Sequence, residues 1–137
     1  MRSFFDTNVL VYLFDEDAPE KKAKAQALLR QEVGEGRATL STQVLQEFYV
    51  AVTRKLAQPL PAEVAERAVR DLAALPLLQV DVSLIQAAIR RCRKSGFSFW
   101  DALVIETALA GGVARLLTED LQHGQVIDGM KVENPFA

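Results

Sequence analysis

The stretch SFWDALVIETALAGGVARLLTED, residues 98–120, decides the fold. From Trp100 to Leu109 it is apolar except for Asp101, Glu106 and Thr107, which predicts a largely buried helix. Gly111-Gly112 ends that helix, Ala114 to Leu117 reads as a short strand, and Thr118-Glu119-Asp120 is the polar turn that closes it. A buried helix followed at once by an apolar strand is a unit of layered α/β proteins, and the rest of the chain repeats the alternation. Upstream, Phe4-Phe5 ends a first strand, and Asp6-Thr7-Asn8 starts a short helix that runs through Phe14. A second helix extends from about Pro19 to the Gly34/Gly36 stop. Ala38-Thr39-Leu40 is a strand, after which Ser41 or Thr42 caps a helix carrying Val44, Leu45, Phe48 and Val52. Another helix follows Pro61, Leu77-Leu78-Gln79-Val80 is a third strand, and the next helix carries Leu84, Ile85, Ala88 and Ile89. Downstream, Val126-Ile127 and Met130-Lys131-Val132 are expected to form a last short strand around Asp128-Gly129. The pattern predicts one α/β domain whose central, mostly parallel sheet has four to five short strands flanked by helices.

Composition narrows the function classes. At 137 residues, half of them hydrophobic and a quarter charged, the chain is long enough for a core without disulfide or metal staples. Cys92 is the only cysteine, so neither an intrachain disulfide framework nor a thiolate metal cluster is available. No apolar run is long enough to span a bilayer, and Met1 to Phe5 reads as the entry to a strand, so a cytoplasmic protein is expected. A formal net charge of −2 lacks the basic footprint of a dedicated phosphate binder. Two local basic clusters, Lys21-Lys22-Ala23-Lys24 and Arg90-Arg91-Cys92-Arg93-Lys94, fall on helical patterns and read as solvated faces before binding patches.

Four acidic residues, Asp6, Glu47, Asp101 and Asp120, lie at or near junctions between strands and helices or turns. In an alternating β/α chain these junctions gather outside the carboxyl ends of the strands, where ligands bind. Three of the four have a second explanation. Asp6 suits a helix N-cap, and Asn8 is either a first-turn residue or a polar group completing a site. Asp101 lies three residues after Ser98, the capping-box spacing. Asp120 is in an ordinary polar turn, with Glu119 expected to face solvent and Thr118 able to orient a neighbouring carboxylate. Glu47 is too deep in its helix to cap it, and its neighbours Val44, Val50 and Ala51 are apolar, so it calls for a basic partner or a cation. Two full charges about 4 Å apart repel by roughly 4 kcal/mol at an effective dielectric of about 20. Four gathered carboxylates must therefore take up protons or bind a cation. Oxygen-only ligands with no His or Cys nearby favour Mg²⁺ or Mn²⁺. The lone histidine, His123, lies past the last acidic position and reads as a surface residue.

In these residues the chain resembles the PIN-domain family of metal-dependent ribonucleases. The resemblance rests on DTN at 6–8 after a strand, Glu47 in the helix following LST, SFWDAL at 98–103, LLTEDL at 116–121 and the ending VIDGMKVENPF. It covers essentially the whole chain and implies a PIN domain over residues 1–137. It implies Asp6, Glu47, Asp101 and Asp120 as the catalytic set, with Asn8 and Thr118 as supporting polar groups. Mg²⁺ or Mn²⁺ would be held chiefly by Asp6, Asp101 and Asp120, with Glu47 holding an outer water or completing a second metal site. The implied activity is hydrolysis of RNA phosphodiesters. Short stand-alone members are most often the toxin of a VapBC-type toxin–antitoxin pair, so RNA, a cognate antitoxin protein and a second copy of the chain are the implied partners.

Arg90, Arg91, Arg93 or Lys94 is expected to hold the RNA backbone at the rim. For self-association, Phe48, Tyr49 and Val52 on one helix and Leu84 or Ile85 on another are either an apolar surface or ordinary core. Three other readings compete. One is a nuclease-silent PIN module that binds RNA or an antitoxin through an acidic pocket that receives an Arg. Another is a free-standing RNA-processing nuclease without a toxin role. A phosphotransferase of the haloacid dehalogenase type fits poorly, because Asn8 and Leu10 stand where that family places Asp and Thr.

Overall fold

The computed structural model describes residues 1–137, and its six strands form one sheet in the order β3-β2-β1-β4-β6-β5. The strands are β1 (Ser3–Phe5), β2 (Ala38–Ser41), β3 (Leu77–Leu78), β4 (Arg115–Leu117), β5 (Val126–Ile127) and β6 (Met130–Glu133). The helices are α1 (Thr7–Tyr12), α2 (Pro19–Gly34), α3 (Thr42–Arg54), α4 (Ala62–Ala73), α5 (Val82–Ser95) and α6 (Phe99–Ala110). Every strand pairing is parallel except β5–β6. β1 and β2 are buried along their whole length, as expected of parallel strands covered on both faces. Phe4, opposite both Thr39 and Leu116, sits at the centre of the register. Around it Phe5, Leu10, Leu40, Phe48, Ile105 and Leu116 are fully buried in one core.

Three details differ from the sequence expectation. Val126–Ile127 and Met130–Glu133 are two antiparallel strands, not one, which raises the strand count to six. Asp128 and Gly129 take φ of 48° and 88°, the left-handed pair that a tight hairpin turn needs. The third strand stops at Leu78, because Val80 N donates to Thr42 Oγ1 and Asp81 already caps α5. Within α6, Ala102 to Ile105, Thr107 and Ala108 are buried as expected, but Trp100 is 61% exposed.

One buried charge ties the sheet to α2 at the amino ends of the strands. Glu32, with 0% exposure, accepts from Ser3 Oγ at 2.5 Å, from Arg37 Nη2 at 2.5 Å and pairs with Arg115 Nη2 at 2.9 Å. Arg115 also donates Nε to Ser3 Oγ at 2.8 Å and pairs with Glu133 at 2.7 Å. The Arg37 hydrogen bond above all, then those of Ser3 and Arg115, holds the Glu32 carboxyl down at about 2 against the opposing effect of burial.

Candidate active site

The order β2-β1-β4 makes the gap between β1 and β4 a point where the chain winds off in two directions, and a crevice opens there beyond the strands' carboxyl ends. Asp6 closes β1: its N–H donates to Leu117 O at 3.0 Å, stitching it to the end of β4. Its extended backbone makes it the N-cap of α1, so the capping role is real. The carboxylate is 6% exposed. Oδ1 accepts from Thr7 N at 2.7 Å, and Oδ2 accepts from Thr118 Oγ1 at 2.8 Å.

Thr118 is the hub on the β4 side. Besides donating to Asp6, its hydroxyl accepts from Asp120 N at 3.1 Å and from Asn8 Nδ2 at 3.4 Å, which uses its one proton and both lone pairs. Asn8 Oδ1 in turn accepts from Glu119 N at 3.2 Å. Asn8 and Thr118 therefore latch the start of α1 to the turn that presents Asp120, which itself is exposed.

Glu47 comes from the second turn of α3, whose N-cap Ser41 accepts from Val44 N. Its partners are neutral: Oε1 accepts from Thr7 Oγ1 at 2.7 Å and Oε2 from Gln43 Nε2 at 3.3 Å. Gln43 Nε2 also reaches Trp100 O at 3.3 Å, linking α3 to the start of α6. α6 runs back along β4, so its first turn lies at the same sheet edge. There Ser98 is the N-cap and accepts from Asp101 N at 3.1 Å. Thr7 and Gln43 were not singled out from the sequence. Gln43 carries a usable signal, lying one helical turn before Glu47 on the same face. Thr7 carries none, since its bond to Glu47 spans two helices.

The electrostatics show four carboxylates in one field. Burial pushes Asp6 up to about 6; the hydrogen bonds from Thr118 and Thr7 oppose it, and the charges of Asp120 and Glu47 add to it. Asp101 is raised too, first by burial and then by Asp120 and Glu47, against a Ser98 hydrogen bond. None of the four enters any of the molecule's ion pairs. In charge and donor type the set suits a hard divalent cation. The side chains do not close on one point: no three His, Cys, Asp or Glu groups converge to hold a metal as they stand. Binding would require bridging water or movement of a carboxylate such as exposed Asp120.

An open groove of about 670 Å³ adjoins this cluster, lined by Asn8, Gln43, Glu47, Lys55, Trp100 and Asp120 among others. Other expected groups lie elsewhere. Arg91 is engaged with Glu106 at 2.7 Å and Asp128 at 2.6 Å, so it clamps α5 to α6 and the hairpin turn and is not a free rim cation. Arg90, Arg93 and Lys94 are exposed. Glu119 does not simply face solvent: it accepts from Tyr12 Oη at 2.7 Å and pairs with Lys21 at 2.5 Å. His123 is exposed, its Nδ1 accepting from Asn134 N. Phe48 and Val52 are core, which leaves Tyr49 and Ile85 as the exposed members of the apolar set.

A family model described as PIN domain matches residues 3–127. No curated protein matches the chain significantly. Among solved structures, a toxin–antitoxin complex from Klebsiella pneumoniae has a chain that superposes with a TM-score of 0.71 at 19% identity, covering 97% of both chains. VapC20 of Mycobacterium tuberculosis, a sarcin–ricin loop cleaving toxin, gives 0.66 at 17% identity over 83% of this chain and 86% of its own. A chain of Rickettsia felis VapBC2, bound to promoter DNA, gives 0.64 at 16% identity over 98% of each.

Proposed function

The chain belongs to the PIN-domain family, and on that premise we propose that it is a divalent-metal-dependent endoribonuclease and the toxin of a VapBC-type pair. The observation that carries the nuclease reading is the meeting of four carboxylates from separate elements at one sheet edge with no basic partner. In this reading Asp6, Asp101 and Asp120 hold Mg²⁺ or Mn²⁺. Held there, the cation would supply Lewis acidity, acidifying water and offsetting phosphate charge. The protein's own part is positional. Thr118, with Asn8 behind it, fixes the Asp6 carboxylate and the Asp120 turn. Thr7 and Gln43 fix Glu47, which orients the attacking water. Asp6, pushed up to about 6 chiefly by burial, would have to be ionised to hold the cation.

The toxin role draws on similar folds that occur in toxin–antitoxin complexes, and one of which cleaves the sarcin–ricin loop. It brings with it a cognate antitoxin, a homodimer and action in the cytoplasm, with residues 1–137 forming one PIN domain. The absence of three converged ligands favours one alternative, a PIN module that binds RNA or antitoxin without cleaving. Incubation of RNA with the protein and Mg²⁺ or Mn²⁺ separates the two. Cleavage is expected with metal, lost with EDTA, and reduced at least on the order of 100-fold by Asp6→Ala or Asp101→Ala, the upper end of what losing an outer-shell partner costs. Undiminished cleavage by both variants removes the proposed site.

A further inference from the structure

Trp100 is the chain's only tryptophan, and it is 61% exposed on a helix otherwise buried along most of its length. A single exposed hydrophobic is ordinary; what distinguishes this indole is its place in the lining of the groove beside the carboxylates. It lines the same groove as Glu47 and Asp120, and it is the residue immediately before Asp101. The ring is braced edge-on by Phe99, at 5.0 Å between centroids and 78° between planes. Its carbonyl is held by Gln43, whose same amide nitrogen holds Glu47. The backbone that carries the indole is therefore tied to Glu47 through one side chain.

We propose that Trp100 is a stacking platform for an unpaired nucleobase next to the phosphate that the carboxylate cluster addresses. The proposal rests on the nuclease reading and deepens it. Two features favour a nucleic acid over a peptide here. Gln46 presents an exposed amide in the groove lining, a group able to read base edges. Lys55 also lines the groove, exposed and eight residues beyond Glu47, about 12 Å along the helix axis, a fitting cation for a backbone phosphate further along the strand. A paired base cannot present its face to the indole, so the platform selects unpaired segments.

Because Trp100 is the sole tryptophan, its emission reports only this site. The test titrates a fluorescein-labelled single-stranded hexaribonucleotide in Ca²⁺ buffer, shown by gel to remain intact, and follows anisotropy and tryptophan emission together. Saturable quenching that tracks the anisotropy is expected, with a duplex of the same sequence binding more weakly. Trp100→Ala should weaken binding by roughly 5- to 150-fold, the range base–aromatic stacking supplies, with Trp100→Phe between it and the parent and thermal midpoints unchanged. Unchanged emission while oligonucleotide binds, no binding at all, or Trp100→Ala binding as tightly as the parent overturns the platform and leaves the indole to a protein partner. Cleavage of RNA with Mn²⁺ is scored separately. Quenching without cleavage supports the platform and faults the nuclease reading, whereas cleavage without quenching does the reverse.

Discussion

Asp6 shows how one residue carries both structure and chemistry. It caps α1, yet it is buried among Asp120 and Glu47, and its carboxyl is raised from an ordinary value near 3.8 to about 6. A folded state that holds a proton more tightly than the unfolded chain is favoured at low pH. That contribution is complete below about pH 4 and is lost as pH rises through 6. In EDTA, the parent should thus lose on the order of 2–3 kcal/mol relative to Asp6→Asn between pH 4 and pH 7, whatever constant cost the lost Thr118 hydrogen bond adds to the variant. Asn can still cap the helix, so urea denaturation at both pH values isolates the charge. Glu47 is the complementary case, ionisable but satisfied only by the Thr7 hydroxyl and the Gln43 amide. Thr7→Val removes the shorter of those bonds and should cost about 1 kcal/mol, read by the same denaturation.

Secondary-structure elements reach the site by their ends, and those ends can be perturbed one at a time. Ser98→Ala removes the N-cap of α6, the helix that presents Asp101, and should lower stability by about 1 kcal/mol in a thermal scan. At the opposite edge, the Glu32 carboxyl lies near 2 in the fold against an ordinary 4.5. Its stabilisation is present above pH 4.5 and is lost as pH falls towards 2. Glu32→Gln leaves Arg37 and Arg115 without their shared buried partner and should cost roughly 3 kcal/mol at pH 7, a loss that shrinks on acidification. The contrast between these elements shows what could be read in advance. That Asp6, Glu47, Asp101 and Asp120 would come to one sheet edge was legible because strand ends and the helices that start beside them meet there. The site's neutral donors were not, since Thr7 and Gln43 matter only through contacts between helices. Glu32 looked like any polar residue of α2; two arginines arriving from other segments bury it. The exposure of Trp100 was equally hidden, because a helix apolar on nearly all sides gives no sign of which residue will be left outside.

Across the whole molecule the charge distribution makes one demand. Positive groups such as Arg37, Arg91 and Arg115 are spent on ion pairs at the amino ends of the strands or between helices, and the carboxyl edge keeps its negative charge uncompensated. A cation that binds the native state at this edge relieves the repulsion and stabilises the entire fold by mass action, by about 2.7 kcal/mol at about 100 times its Kd. For a chain of this size that corresponds to a rise in thermal midpoint on the order of 5–10 °C. The direct measurement is the Mn²⁺-induced shift in Tm for the parent protein beside Asp101→Asn and Asp120→Asn. A carboxylate cation site predicts a saturable rise in the parent that is lost or strongly reduced in both variants. No rise in the parent, or the same rise in all three proteins, would contradict it.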